Sequence, residues 1–161
     1  MALSTCSSAA TLPVAFHCLQ QNLGVSERIS QFVMPLGITM NMNGSAIFQA
    51  MSAVFVAHAY GITLDWTHYL TLLMTAFLSA LGTAGIPGGG FVMLSVVLSS
   101  VGLPLEALGI LAGIDRLREM ASTTLNILGD AAVTVFIAKK EGELDEARYN
   151  HSPLIELQST G

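Results

Sequence analysis

Apolar residues fill this chain in long runs that are repeatedly broken by short polar or glycine-rich stretches. No charge occurs in residues 1–26, 29–64 or 66–105, and each run exceeds the roughly 20 residues that a helix needs to cross a bilayer. Leu, Val, Ile, Met and Phe dominate these runs, so their solvent is lipid or a membrane-embedded interior rather than water. The first interruption, Ser4-Thr5-Cys6-Ser7-Ser8-Ala9-Ala10-Thr11-Leu12-Pro13, precedes a helical run from 14 to about 23 and reads as the tip of a hairpin whose first arm is missing. The second, Thr39-Met40-Asn41-Met42-Asn43-Gly44-Ser45, lies inside an apolar run over 29–60 and predicts a helix broken at mid-membrane. The third, Gly82-Thr83-Ala84-Gly85-Ile86-Pro87-Gly88-Gly89-Gly90, divides the stretch that begins at Trp66. Its two arms of about 15 residues cover roughly 22 Å each, short of the ~30 Å hydrocarbon core, which predicts a re-entrant hairpin.

A final helical run from about 104 to 138 carries Asp115, Arg116, Arg118, Glu119 and Asp130. Beyond it, Lys139 and Lys140 open an acid-rich stretch to residue 161, expected to be disordered. The predicted architecture is an all-α integral membrane domain over 1–138, built of broken transmembrane helices and re-entrant helical hairpins, with a cytoplasmic tail over 139–161. Interrupted apolar segments at corresponding places in two halves are the sequence mark of a transporter site. Arg28, Lys139, Lys140 and Arg148 would share the cytoplasmic side by the positive-inside bias, with Asp65 and Glu106 on the other.

Composition narrows the function classes. Of 161 residues, 52% are hydrophobic and 11% charged, against about a quarter charged in soluble domains. The net charge of -5 comes with no basic cluster to follow a phosphate backbone, which argues against a nucleic-acid partner. Residues 1–26 lack the basic start and clean apolar segment of a signal peptide. Cys6 and Cys18 form no metal motif, and His17, His58, His68 and His151 have no metal-ligand spacing. The glycine-rich stretch at 85–90 is not followed by Lys-Ser or Lys-Thr, so it is no phosphate loop. No nucleophile and base can be paired from the sequence, and an enzyme is not expected.

Charges at the centre of a spanning helix cost about 2.5 to 3.5 kcal/mol each, so those of the last run need a reason. At about 100° per residue, Asp115, Glu119, Ser122, Asn126 and Asp130 fall on one narrow face, a polar stripe with an apolar remainder. Such a stripe fits a buried hydrated site. Asp130, Asn126 and the Asn41 region offer the carboxylate, amide and broken-helix carbonyl oxygens that a hard monovalent cation accepts. The small tips at Ser7-Ser8 and Thr83-Ala84-Gly85 let backbone amides approach a substrate carboxylate.

With Ser7-Ser8-Ala9-Ala10-Thr11-Leu12-Pro13, Pro35-Leu36-Gly37, Asn41-Met42-Asn43-Gly44, Gly82-Thr83-Ala84-Gly85-Ile86-Pro87 and Asn126-Ile127-Leu128-Gly129-Asp130 in that order, the sequence resembles the dicarboxylate/amino acid:cation symporter family, the glutamate transporter homologues. The resemblance runs from about residue 3 to 144. It implies the C-terminal part of a transport domain that moves as an elevator in a bacterial-type inner membrane. It also implies a parent protein that is homotrimeric through a scaffold absent here, so that the chain reads as a C-terminal fragment. The expected substrate is a small molecule, an amino acid or dicarboxylate, and the expected coupling ion is sodium, with a proton as the alternative. A truncated remnant that transports nothing is the competing expectation.

Carried over by motif, Ser7, Ser8, Thr83, Ala84, Gly85, Pro87 and Gly88 would gate the substrate. Asp115 would support the site, Glu119 would meet the substrate ammonium, and Ser122, Thr123 and Asn126 would complete the pocket. Gly37, Asn41, Asn126 and Asp130 would hold one sodium; Thr39, Ala80, Leu81 and Thr83 would hold another; Asn43 stands where the family has an acid linked to a further one. Ser122 replaces the Arg that pairs a side-chain carboxylate in glutamate carriers, and Glu119 replaces the usual Asp. These departures imply an amino acid lacking a side-chain carboxylate. Arg118 either restores a cation, pairs with Asp115 or faces another helix.

Overall fold

The computed structural model describes residues 1–82 and 87–151. All named elements among them are helical: α1 (Ala2–Thr5), α2 (Ser8–His17), α3 (Glu27–Met40), α4 (Asn43–Ala59), α5 (Trp66–Gly82), α6 (Gly89–Ser100), α7 (Ala107–Ala112), α8 (Asp115–Lys140) and α9 (Glu146–Asn150). One wide π-helical turn, Cys18–Asn22, extends α2.

The hydroxyl-rich opening turns at Cys6 and Ser7, and the helix that follows starts well before the run expected from residue 14. Ser7 caps α2 by accepting the Ala10 N–H at 3.2 Å, and Thr11 folds its hydroxyl back onto the Ser7 carbonyl at 2.8 Å. The helix therefore begins at Ser8, and Pro13, inside it, removes a single backbone bond without ending it. The chain turns just before, where Cys6 sits at φ 52.

The broken helix occurs where the polar run foretold it. Ser26 caps α3 through the Ile29 N–H at 3.2 Å. After the 14 residues of α3, Asn41 leaves helical geometry, and α4 restarts at Asn43. The halves have 14 and 17 residues, about 21 and 25 Å, so neither spans a bilayer core alone. Arms α5 and α6, of 17 and 12 residues, flank the second tip. At the start of α5, Asp65 accepts the His68 backbone N–H at 2.9 Å, which holds its carboxyl below the usual carboxylate range.

The final run is divided: α7 stops at Gly113, and α8 alone runs 26 residues, about 39 Å. It is the one described helix long and apolar enough to cross a membrane. Residues 139–151 are ordered, in contrast to the disorder expected from their composition. After Gly142 turns the chain at φ 69, Val25 and Leu144 pair as an antiparallel bridge and Arg28 meets Glu143 at 3.0 Å. Residues 152–161 of the expected tail lie outside the described residues. Arg28, Lys139, Lys140 and Arg148 gather at one end of the fold, since Arg148 also donates to the Gln20 carbonyl at 3.2 Å.

On α8 the burial pattern is inverted relative to a helix of a soluble bundle. The inward face of α8 reads Glu119, Ser122, Thr123, Asn126, Asp130, Thr134 and Ala138, while Leu117, Leu128 and Phe136 point out. Phe32 on α3 and Leu73 on α5 are similarly exposed. Apolar surface of this extent in water would drive association; in hydrocarbon it costs nothing, and the polar groups retreat to the interior where they find partners. Two apolar clusters hold the ends, one where α4, α5, α6 and α7 meet around Leu94 and Leu98, the other where α2, α3 and the end of α8 meet around Leu19 and Met34.

Candidate functional site

The helix break is tied to the middle of α8. Asn41, which ends α3, donates Nδ2 to Asp130 Oδ1 at 2.8 Å. The Gly44 N–H donates to Asn126 Oδ1 at 2.7 Å, and Asn126 Nδ2 reaches Met42 Sδ at 3.1 Å and Ser45 Oγ at 3.4 Å. Met42 supplies no side-chain cap to α4, so Asn126 satisfies from a neighbouring helix one of the amides that every helix N-terminus leaves unpaired. Such closeness demands glycine. A Cβ at Gly44 would stand 2.6 Å from the Ser122 carbonyl oxygen, and one at Gly37 would stand 2.7 Å from Asp130 Cγ.

Asp130 is 1% exposed, and its Oδ2 has no hydrogen-bond partner among the described residues. A buried carboxylate oxygen without a donor is costly unless a cation or water completes it. A pocket of about 330 Å³ opens onto it, lined by Gly37, Met40, Asn41 and Asn43 together with apolar residues of α3 and α8. Carboxylate, amide and backbone carbonyl oxygens are hard ligands, apt for an alkali or alkaline-earth cation rather than a soft metal. Among the described residues no three of His, Cys, Asp and Glu cluster to hold a metal.

A second polar station lies at the start of α8. Glu119 Oε1 accepts the Gly88 N–H at 2.5 Å. Gly88, at φ 84, is the N-cap of α6 and has no side chain to cap with, so the Glu119 carboxylate meets the positive end of that helix. Beside it, Arg118 Nε donates to Asp115 Oδ1 at 2.6 Å. Between the stations, Ser45 and Ser122 hydroxyls meet at 3.1 Å, and buried Gln49 donates to the Gly90 carbonyl at 3.4 Å.

The structure thus unites Gly37, Asn41, Asn126 and Asp130 at the break, and Asp115, Glu119 and Gly88 under the second hairpin. Ser122 and Thr123 are buried on the connecting face of α8, Ser8 is buried in the first turn of α2, and Ser7 caps that helix. Others lie apart. Thr39 is exposed and turns its hydroxyl onto the Leu36 carbonyl of its own helix at 2.8 Å. Asn43, though exposed, is not among these, since it lines the pocket with Gly37, Asn41 and Asp130. Pro87 is exposed; Ala80 is buried, and Leu81 exposed, in the last turn of α5. Thr83, Ala84 and Gly85 lie outside the described residues.

Ser45, named only as the end of the break, and Gln49 were not read as site residues from the sequence. They stand four residues apart on α4 and both face α8 or α6, so the arc argument that isolated the α8 stripe would have found them. Of the three readings of Arg118, two are observed together: it pairs with Asp115, and its guanidinium faces another helix, lying under Gly90 of α6.

Comparison with known proteins brings the site into context. The profile of the sodium:dicarboxylate symporter family matches residues 1–140. The chain is 38% identical to "Excitatory amino acid transporter 2" of Homo sapiens, an alignment covering 99% of this chain and 28% of that protein. It is 42% identical to "Excitatory amino acid transporter" of Caenorhabditis elegans, covering 81% of this chain and 26% of that protein. Against "Neutral amino acid transporter B(0)" of Mus musculus it is also 42% identical, covering 81% of this chain and 24% of that protein. The chain therefore spans about a quarter of the length of these relatives.

Proposed function

The chain belongs to the sodium:dicarboxylate symporter family, and on that premise we propose that it forms the substrate- and cation-binding part of a symporter that couples uptake of a neutral amino acid to a sodium gradient. The family makes it an integral membrane protein, and its relatives are named as transporters rather than enzymes. The observation that carries the reading is the buried polar face of α8 set against the helix break, with Asp130 Oδ2 left without a partner.

Sodium is cargo here. Asp130, with the side-chain oxygen of Asn41 and the Gly37 carbonyl, would hold one ion, and Asn126 would contribute when it releases the Gly44 amide. Glu119 would meet the substrate ammonium. In the present arrangement its carboxylate engages the second hairpin through Gly88, so closure of that hairpin and occupancy of the acid are linked. The substrate α-carboxylate would lie toward Asn126 and the amides at the start of α2, where a helix N-terminus favours an anion. For a side-chain carboxylate the described residues offer no free guanidinium: position 122 is a serine bonded to Ser45, and Arg118 is engaged by Asp115.

The cluster of Arg28, Lys139, Lys140 and Arg148 would lie on the cytoplasmic side of a bacterial-type inner membrane, which puts the C-terminus there too. Assembly into a homotrimer would use a scaffold outside this chain. Uptake of a panel of amino acids by the full-length protein in proteoliposomes, with and without a sodium gradient, tests the proposal. Sodium-driven uptake of small neutral amino acids is expected; sodium independence, or preference for aspartate and glutamate, would overturn it.

A further inference from the structure

We propose that Arg118 sets which substrate charge the site accepts, by offsetting one of the two acids that flank it, Asp115 and Glu119, so that their side chains together carry a single net negative charge beneath the second hairpin. The inference rests on the reading of Glu119 as the group that meets the substrate's ammonium. Arg118 is a long side chain held almost wholly inside, 9% exposed, on a helix whose opposite face is free to take it outward. Its Nε and one terminal nitrogen converge on the same oxygen, Asp115 Oδ1, at 2.6 and 2.5 Å. Only Nε does so with hydrogen-bond geometry, and the terminal nitrogen keeps a buried N–H without an acceptor. That nitrogen lies 4.0 Å from Glu119 Oε1. The guanidinium also presses on the second hairpin, since a Cβ at Gly90 would stand 3.2 Å from Arg118 Nη1.

A surface ion pair would not be arranged this way. Exposed pairs contribute little and have no need of burial, whereas a buried cation between two acids fixes the local charge. Among the described residues no other charged side chain nearby adjusts it. Helices α1 and α6 contain no Asp, Glu, Lys or Arg, α4 contains only His58, at its far end, and Arg116 is exposed and donates to the Ser4 carbonyl at 3.1 Å. Among the described residues the charge of this station is therefore decided by Asp115, Arg118 and Glu119. With Arg118 present, one acid awaits one ammonium, the complement of an amino acid with an uncharged side chain. Without it, two acids at i and i+4 share one face, and a substrate bearing a second positive charge becomes the better complement.

The test is competition against sodium-driven uptake of radiolabelled alanine by the full-length protein in proteoliposomes, with serine, aspartate and lysine as competitors. Unmodified protein should be inhibited by serine and not by lysine. Arg118→Gln should become sensitive to lysine, with half-inhibition at a concentration at least about tenfold lower, the change that ~1.4 kcal/mol produces. Arg118→Lys should keep the original selection. The double variant Asp115→Asn/Arg118→Gln, which restores a single acid, should again reject lysine; a merely structural pair would not give this reversal. Unchanged selection in Arg118→Gln overturns the role of Arg118, as does loss of uptake in all three variants alike. Absence of sodium-driven uptake in the unmodified protein overturns the proposed function instead.

Discussion

Replacing Gly37 by alanine places a methyl group where Asp130 now lies. The added carbon would stand 2.7 Å from both Asp130 Cγ and Oδ1, while ordinary contact begins at 3.4 Å, so the carboxylate must retreat by about 0.7 Å or more. Retreat into the adjoining pocket would break the bond that Asp130 accepts from Asn41 Nδ2 at 2.8 Å and displace the carboxylate from its place at the break. Overpacking of this kind costs about 1–3 kcal/mol. The local backbone effect has the opposite sign, because Gly→Ala inside a helix is favourable by about 0.5–1 kcal/mol, so any loss is attributable to the clash. If Asp130 binds the coupling ion, the cost falls on ion binding and the sodium concentration for half-maximal uptake should rise about 5- to 150-fold. Sodium titration of uptake in proteoliposomes reads this directly, with Gly109→Ala as the control, since nothing lies within 4 Å of a Cβ there. Half-saturation within about twofold of the unmodified protein would show that the Asp130 carboxylate is not where the ion binds.

Glu119→Asp withdraws the carboxylate from the Gly88 amide by one methylene, removing a charged hydrogen bond worth about 1.5–3 kcal/mol; amides 88–92 should then exchange hydrogen faster while those of α8 do not, and unchanged exchange would remove the hairpin linkage. Ser122→Arg supplies the missing guanidinium beside Ser45 and should turn competition toward aspartate and glutamate; no change of preference would discard the neutral-substrate reading. Gly44→Ala meets a backbone carbonyl at 2.6 Å that cannot swing aside. A cost of about 1–3 kcal/mol should lower the melting midpoint by roughly 2–12 °C in detergent, and an unaltered midpoint would contradict the packing described for the break.

The helix break was legible because its signal is local: a polar run inside an apolar one admits few readings in lipid, and α3 and α4 part within it at Asn41 and Met42. The α8 stripe was legible for the same reason, since periodicity alone groups Glu119, Ser122, Asn126 and Asp130 on one face. The early start of the helix after the opening turn was not legible, because serine and threonine serve loops and helix caps equally well. Ser7 turned out to be a cap and Ser8 and Thr11 a buried face. The ordering of residues 139–151 was invisible in composition, because it depends on Val25, Ser26 and Arg28, distant in sequence, being present to receive Leu144 and Glu143.

The sequence by itself determined the apolar surroundings, the place of the helix break and the polar face of α8, since each follows from hydropathy, spacing or side-chain chemistry. Only the tertiary structure decided the partners. That Asn126 caps α4, that Glu119 holds the second hairpin at Gly88, and that Arg118 is spent on Asp115 are outcomes of which oxygens and amides the packed helices bring within about 3 Å of one another, the range over which a hydrogen bond has any strength.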